Sequence, residues 1–155
     1  MILIKIFGKI ARELYRLLHP SLWGKNLQIN GIPRIYDIKG LKLGKNVSIN
    51  SGCVLQCYGG LTIENNVTIS DGVKILTRSL DIRDYKTNAL LPKRDHVDSH
   101  VKIGLGVWIA ANAIILPGVS IANYCIIAAG SIVTRSIERE GYIYAGVPAK
   151  PIRKL

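Results

Sequence analysis

The sequence repeats on a beat of six. Between residues 97 and 134 an aliphatic side chain recurs at Val97, Ile103, Ile109, Ile115, Ile121, Ile127 and Val133. Four places after each of the first six stands a small or β-branched residue: Val101, Val107, Ala113, Val119, Cys125 and Ser131. Neither the helical period of 3.6 nor the strand period of two falls on six, and a fixed internal repeat outranks local propensity. Six residues suffice for a short strand and a tight corner. Three such sides close one turn of a triangular coil, with the aliphatic residue and the residue four later both directed into the shaft. Turns stack about 4.8 Å apart through ladder hydrogen bonds, so each buries its apolar face only against its neighbours.

Each corner demands a residue that tolerates positive φ, where Gly and Asn are favoured. Three places after the aliphatics stand Gly106, Asn112, Gly118, Tyr124 and Gly130. The same register appears earlier, where Leu43, Ile49, Ile63 and Ile69 are followed by corners at Asn46, Gly52, Asn66 and Gly72 and by Val47, Cys53, Val67 and Val73. Eight of these nine corners are Gly or Asn, which predicts an all-β parallel β-helix over residues 43–134. Residues 103–134 carry no charge, but Gly, Asn and Pro punctuate them too often for a membrane-spanning helix.

The flanks follow other rules. Residues 1–20 predict an amphipathic helix, with Lys5, Lys9, Arg12 and Arg16 along one face and Ile2, Ile6, Ile10, Leu14 and Leu17 along another. Charge is scattered through it and no small-residue cleavage site follows, so it is not a secretory signal. It packs on the coil or lies on a membrane surface. Residues 21–42 form a connector in which Ile35, Ile38 and Leu41 make an irregular first rung. A first clear coil spans 43–62, with two extra residues around Tyr58, Gly59 and Gly60 bulging one corner. A second spans 63–80. Register then fails over about 79–96, a polar and basic stretch expected to be a loop thrown out from one corner, and resumes at Val97. Residues 135–155 form an extended basic tail.

At 155 residues the chain makes one domain. Its three cysteines have neither metal nor disulfide spacing, and Cys53 and Cys125 fall on inward positions, as expected of core thiols in a reducing compartment. The net charge of +11 calls for an anionic partner. No nucleic-acid motif or stacking aromatic cluster is present; the phosphates of a ligand, an anionic membrane or a glycan fit instead.

The phrases IGLGVWIAANAIILPGVSI, AAGSIVT and AGVPAKPIRK resemble the hexapeptide-repeat acyltransferases, most closely the galactoside and maltose O-acetyltransferase branch and its relatives that acetylate surface polysaccharides. The likeness covers roughly residues 35–155. It implies a left-handed β-helix, a homotrimer, acetyl-CoA as co-substrate without a metal, and a sugar or glycan acceptor. It also implies a cytoplasmic location, extending to the inner face of the membrane if residues 1–20 touch lipid. The reaction is acyl transfer from a thioester to a hydroxyl. That hydroxyl needs a general base, and the thioester oxygen, as it turns negative, needs donors such as backbone N–H groups.

In such enzymes the catalytic His lies just after the second-coil strand, in phrases like T-H-P-L-D. Here the stretch is ILTRSLD, so that Leu80 or Arg78, depending on the alignment, occupies the place. Neither is a base. His96 and His100 remain nearby. The loop leaves after the third side of one rung and returns at the first side of the next, so exit and re-entry share a corner and bring His96 back to the vacant place. His100 falls on a positive-φ corner position. Asp81, Asp95 or Asp98 could orient the imidazole. The resemblance further assigns Asn50 to positioning acceptor and base. Trp108, read as a corner residue, goes to the ligand or to packing between subunits. Ala111, Ala129 and Thr134 line the pantetheine arm, and Lys150 and Arg153 meet the coenzyme's phosphates.

Other readings stay open: an amino-sugar N-acetyltransferase, or a β-helix scaffold that has lost the catalytic His. A zinc hydratase on the same coil would need three imidazoles around one metal, and the third, His19, lies in the N-terminal helix.

Overall fold

The computed structural model describes residues 26–88 and 94–155, together with Ile10, Glu13, Leu14 and Leu17. Those four are helical and exposed. The rest of the predicted helix 1–20, His19 included, and the start of the connector lie outside the described residues.

The coil begins before the regular repeats do. Strands β1 (Gln28–Ile29) and β2 (Arg34–Tyr36) precede β3 (Leu41–Leu43), β4 (Ser48–Ile49) and β5 (Val54–Gln56). A second turn follows as β6 (Leu61–Ile63), β7 (Thr68–Ile69) and β8 (Lys74–Ile75). The chain then leaves the coil as β9 (Arg78–Leu80) and β10 (His96–Asp98). It resumes with β11 (Val101–Ile103), β12 (Trp108–Ile109) and β13 (Ile114–Ile115), and then β14 (Ser120–Ile121), β15 (Ile126–Ile127) and β16 (Ile132–Val133). It ends in β17 (Tyr142–Gly146) and β18 (Ala149–Lys154).

Strands from successive turns pair in parallel into three faces. The first runs β1-β4-β7-β12-β15-β17-β18, the second β2-β5-β8-β13-β16, and the third β3-β6-β11-β14. The register matches repeat to repeat: Ile49, Ile69, Ile109 and Ile127 stack on the first face. Leu55, Ile75, Ile115 and Val133 stack on the second. Ile63, Ile103 and Ile121 stack on the third. All of these side chains are at most 2% exposed, and each such burial is worth about 1.5–3 kcal/mol. The dry shaft therefore carries the stability.

All nine predicted corner residues have positive φ, Tyr124 (φ 55°) among them. Tyr124 accepts a geometry that costs a β-carbon about 1–2 kcal/mol; its ring lies over Gly106, where an added Cβ would stand 2.8 Å from it.

The connector carries an irregular turn: Leu27 and Ile29 are buried, and Ile35, Ile38 and Leu41, read in the sequence as an irregular first rung, pack against the core. A 3₁₀ turn at Ile38–Gly40 after Asp37 (φ 55°) absorbs the irregular spacing. Val97 does not restart the shaft. It is 39% exposed and pairs with Ser79, while Val101 is fully buried; the six-residue phase ran into the arm by coincidence. The segment leaves the coil at one corner, and its two ends pair as a short antiparallel arm, β9 with β10. The basic tail is extended and joins the sheet, β17 adding a strand to the first face and β18 turning back antiparallel after the cis Val147–Pro148 bond.

Candidate active site

The arm leaves the prism at the corner between second and third faces. Its register sets Leu80 opposite His96, Ser79 opposite Val97 and Arg78 opposite Asp98. Directly opposed residues of an antiparallel pair point to the same side with Cβ atoms about 4.5–5.5 Å apart. His96 therefore stands across the ladder from one of the two positions where the sequence lacks its histidine, and next but one to the other. Exit and re-entry share a corner as expected. Asp98, two places along β10, lies on the same side.

Two of the three carboxylates named as orienting partners, Asp98 and Asp81, are held by arginines. Arg78 grips Asp98 with both arms of its fork, Nε to Oδ1 at 2.6 Å and Nη2 to Oδ2 at 2.8 Å. Arg83 holds Asp81 in the same manner. These donors keep Asp81 down to about 2, through hydrogen bonds from Arg83 first, and hold Asp98 below the ordinary carboxylate range, through the hydrogen bond from Arg78 first. Asp95 contributes its backbone carbonyl to Asp81 N–H. Among the described residues, no carboxylate is hydrogen-bonded to His96. Beyond the ladder the arm makes a helical turn at Tyr85–Asn88 and a shallow groove of about 480 Å³ along residues 82–87.

His100 is not a positive-φ corner residue, because its segment is the arm's hinge and not a rung. It is exposed, and its Nδ1 lies 2.7 Å from where a Cβ on Gly60 would stand.

The remaining candidates divide between two edges of the second face. Asn50, half-buried, sits at its edge with the first face and accepts Asn30 Nδ2–H at 2.8 Å. Ala111 and Ala129 lie at that same edge one turn apart, with Gly130 N–H donating to the Ala111 carbonyl. Thr134 is exposed at the opposite edge, two turns on from Thr77 and the arm. Trp108 lies in β12 on the first face, not in a corner. It is 46% exposed, and its indole N–H donates to Ser70 Oγ at 3.0 Å. Ser70 and Asn30 extend the Asn50 edge and were missed, having no signal beyond their place in the repeat. In the first face's register Trp108 leads through Ile126 and Ile143 to Arg153. Lys150 and Arg153 are exposed on β18. One chain thus gathers Asn50, Trp108 and the alanines apart from His96, His100 and Thr134.

The thiols offer no nucleophile. Cys53, Cys57 and Cys125 are free and buried in the shaft, and burial, helped by Asp37, pushes Cys57 up to about 12. Among the described residues no three of His, Cys, Asp or Glu cluster to hold a metal ion, and no helix is long and apolar enough to cross a membrane.

Comparison with known proteins bears on the repeat and the fold. Residues 100–135 match the family described as bacterial transferase hexapeptide (six repeats). A proposed acetyltransferase of Staphylococcus aureus is 35% identical over 115 residues, 74% of this chain and 55% of the relative. A proposed lipopolysaccharide biosynthesis O-acetyl transferase of Escherichia coli K12 is 29% identical over 129 residues, 83% of this chain and 58% of that protein. The chain spans little more than half the length of these relatives. Among solved structures, a maltose O-acetyltransferase from Clostridium difficile superposes with a TM-score of 0.73 at 29% identity, covering 85% of this chain and 68% of that one. A galactoside acetyltransferase in complex with coenzyme A gives 0.71 at 26% identity, covering 83% and 64%. The winding is that of the left-handed parallel β-helix, and the chain resembles these acetyltransferases in both repeat and fold.

Proposed function

We propose that this chain, a hexapeptide-repeat protein, is an acetyl-CoA-dependent O-acetyltransferase. Its acceptor is a sugar hydroxyl of a surface polysaccharide or its precursor, and His96 is the general base. The observation that carries this reading is the ladder register that opposes His96 to Leu80. The base is moved to the returning strand while staying at the same corner of the prism. His96 Nε2 or Nδ1 takes the proton of the acceptor hydroxyl as its oxygen attacks the thioester carbon. The tetrahedral oxyanion is held by backbone N–H groups of the coil. On collapse the C–S bond breaks, and the departing thiolate takes the proton back from the imidazolium.

The split of candidates between two edges supports a homotrimer. In a ring of parallel prisms the edge carrying Asn50 and the alanines in one copy can meet the arm's edge in the next. Coenzyme A would then lie between copies, its arm along Ala111, Ala129 and Thr134, near Trp108, with its phosphates toward Lys150 and Arg153. The groove along the arm, over 82–87, suits the acceptor. Exposed Ile10, Leu14 and Leu17, spaced for one helical face, together with the basic residues around them in sequence, support contact with an anionic membrane surface from the cytoplasmic side.

The test is thiol release from acetyl-CoA with a panel of glycan acceptors. His96→Ala should lower kcat by about 10²–10⁴-fold, and His100→Ala by about three-fold at most, since His100 packs on Gly60 at the hinge. Full turnover by His96→Ala would sink the assignment, and acceptance of amino sugars alone would make the reaction N-acetylation.

A further inference from the structure

A two-residue insertion at Tyr58–Gly60 interrupts the repeat within the first coil. It lies at the same corner as the arm, one turn earlier, and forms a socket for the arm's base. Gly59 N–H donates to Thr77 Oγ1 at 3.1 Å. Ser99 N–H donates to the Thr77 carbonyl at 2.8 Å, and Val101 N–H to the Gly60 carbonyl at 3.1 Å. A Cβ at Gly59 would stand 2.6 Å from the Ser99 nitrogen and 2.7 Å from the Thr77 oxygen. Only glycine lets the two hinge strands seat so closely. The ring of Tyr58 lies beneath the Arg78 guanidinium, 3.9 Å from its centre, while that guanidinium is forked onto Asp98.

This matters because β9 and β10 have little else to fix their pairing. Ser79 and Leu80 are exposed, as is every residue of β10, so no buried face selects the register. A slip of one residue turns every side chain to the opposite side. His96 would then face away from the corner. Partly exposed ion pairs add little to global stability, and this one is 33% and 39% exposed. A bidentate fork stacked on an aromatic ring instead contributes direction, which a lysine in the same place would not.

We propose that Arg78, clamped between Asp98 and Tyr58, is a positioning residue that locks the arm's register and aims His96; this rests on His96 being the base. Arg78→Gln, Asp98→Asn and their double variant test it in the full-length protein, beside His96→Ala. Each single variant should lower kcat about ten-fold or more, because misplacing a reacting group by an ångström costs on that order. KM for acetyl-CoA and the melting temperature should hold. The double variant should be no worse than the poorer single one, since both remove the same clamp. Arg78→Lys should fall between. Trypsin, cutting at Arg83, Lys86 or Arg94, should nick the arm about five-fold faster in the variants, reporting local opening independently of chemistry.

If all the variants keep parental kcat and nicking rates while His96→Ala is inactive, the clamp is refuted and the base stands. A fall in kcat matched by a large fall in melting temperature also refutes it, as a merely structural role. If His96→Ala is itself active, the base assignment fails and the positioning role goes with it.

Discussion

From β1 to β16 the shaft and the arm are both made of strands two or three residues long, yet they are held by opposite means. In the shaft each strand from β3 to β8 and from β11 to β16 turns a buried aliphatic side chain inward, and its neighbours above and below complete the burial. Register there is set by a dry core, and a one-residue slip would expose the whole inward set. In the arm the strands lie in the open, and what fixes them is one forked arginine–carboxylate contact across the ladder and a glycine socket. The comparison teaches that the fold sets register in two ways, by a dry core in one region and by exposed charges in the other. On the reading proposed above, the arm carries the imidazole of His96 on a geometry that rests on charges water can reach.

That contrast can be broken most forcefully from the shaft. Ile109→Ala removes a side chain with no exposure from the middle of the first face. It should cost about 2–5 kcal/mol and lower the melting temperature by about 5–15 °C. Activity should survive at temperatures where the variant is folded. An unchanged melting temperature would mean that the shaft is not the stable part.

The next effect lies in the tail. Lys150→Ala with Arg153→Ala should raise KM for acetyl-CoA about ten-fold or more with kcat nearly unchanged, as loss of charge-assisted bonds made equally in ground and transition states requires. A drop in kcat alone would remove these cations from the coenzyme.

Acid separates the two regions more gently. Asp81 and Asp98 have folded-state values depressed by Arg83 and Arg78. Their contribution is therefore present above the ordinary carboxylate value near 4 and is lost as pH falls through the folded values, to about 2 for Asp81. Amide-exchange protection of β9 and β10 should decline over that window, while the shaft strands, whose inward positions hold no carboxylate, keep theirs. Simultaneous loss in both would erase the distinction. The smallest effect is none at all: the three buried thiols should stay unreactive toward aromatic disulfide reagents in the native protein and react on denaturation.

The shaft was legible in the sequence because one constraint repeats. A corner that needs positive φ favours Gly or Asn every sixth residue, and the nine corners read from the regular repeats adopt it while His100, in the arm's hinge, does not. Legibility failed where the constraint lapsed. Val97 kept the six-residue phase without an inward neighbour to pack on. The first turn, with Pro33 and the Asp37 turn inside it, never showed the phase at all. Trp108 was placed in a corner because it follows Val107, the inward corner residue, by one place. Of the site, the topology conveyed where His96 returns, since exit and re-entry share a corner. Neither the Arg78–Asp98 fork nor the role of Tyr58 could be read. Each depends on the register between strands about twenty residues apart, which no local pattern encodes. The glycines of the insertion were the only trace of the socket.

The most direct test of the account is a structure of the assembled protein with coenzyme A bound. The account predicts that the sulfur lies between two copies, with a His96 nitrogen close enough to share a hydroxyl group with it, within about 3–4 Å of the place the acceptor oxygen must take. A coenzyme sulfur lodged where no His96 from any copy can reach it would contradict the account.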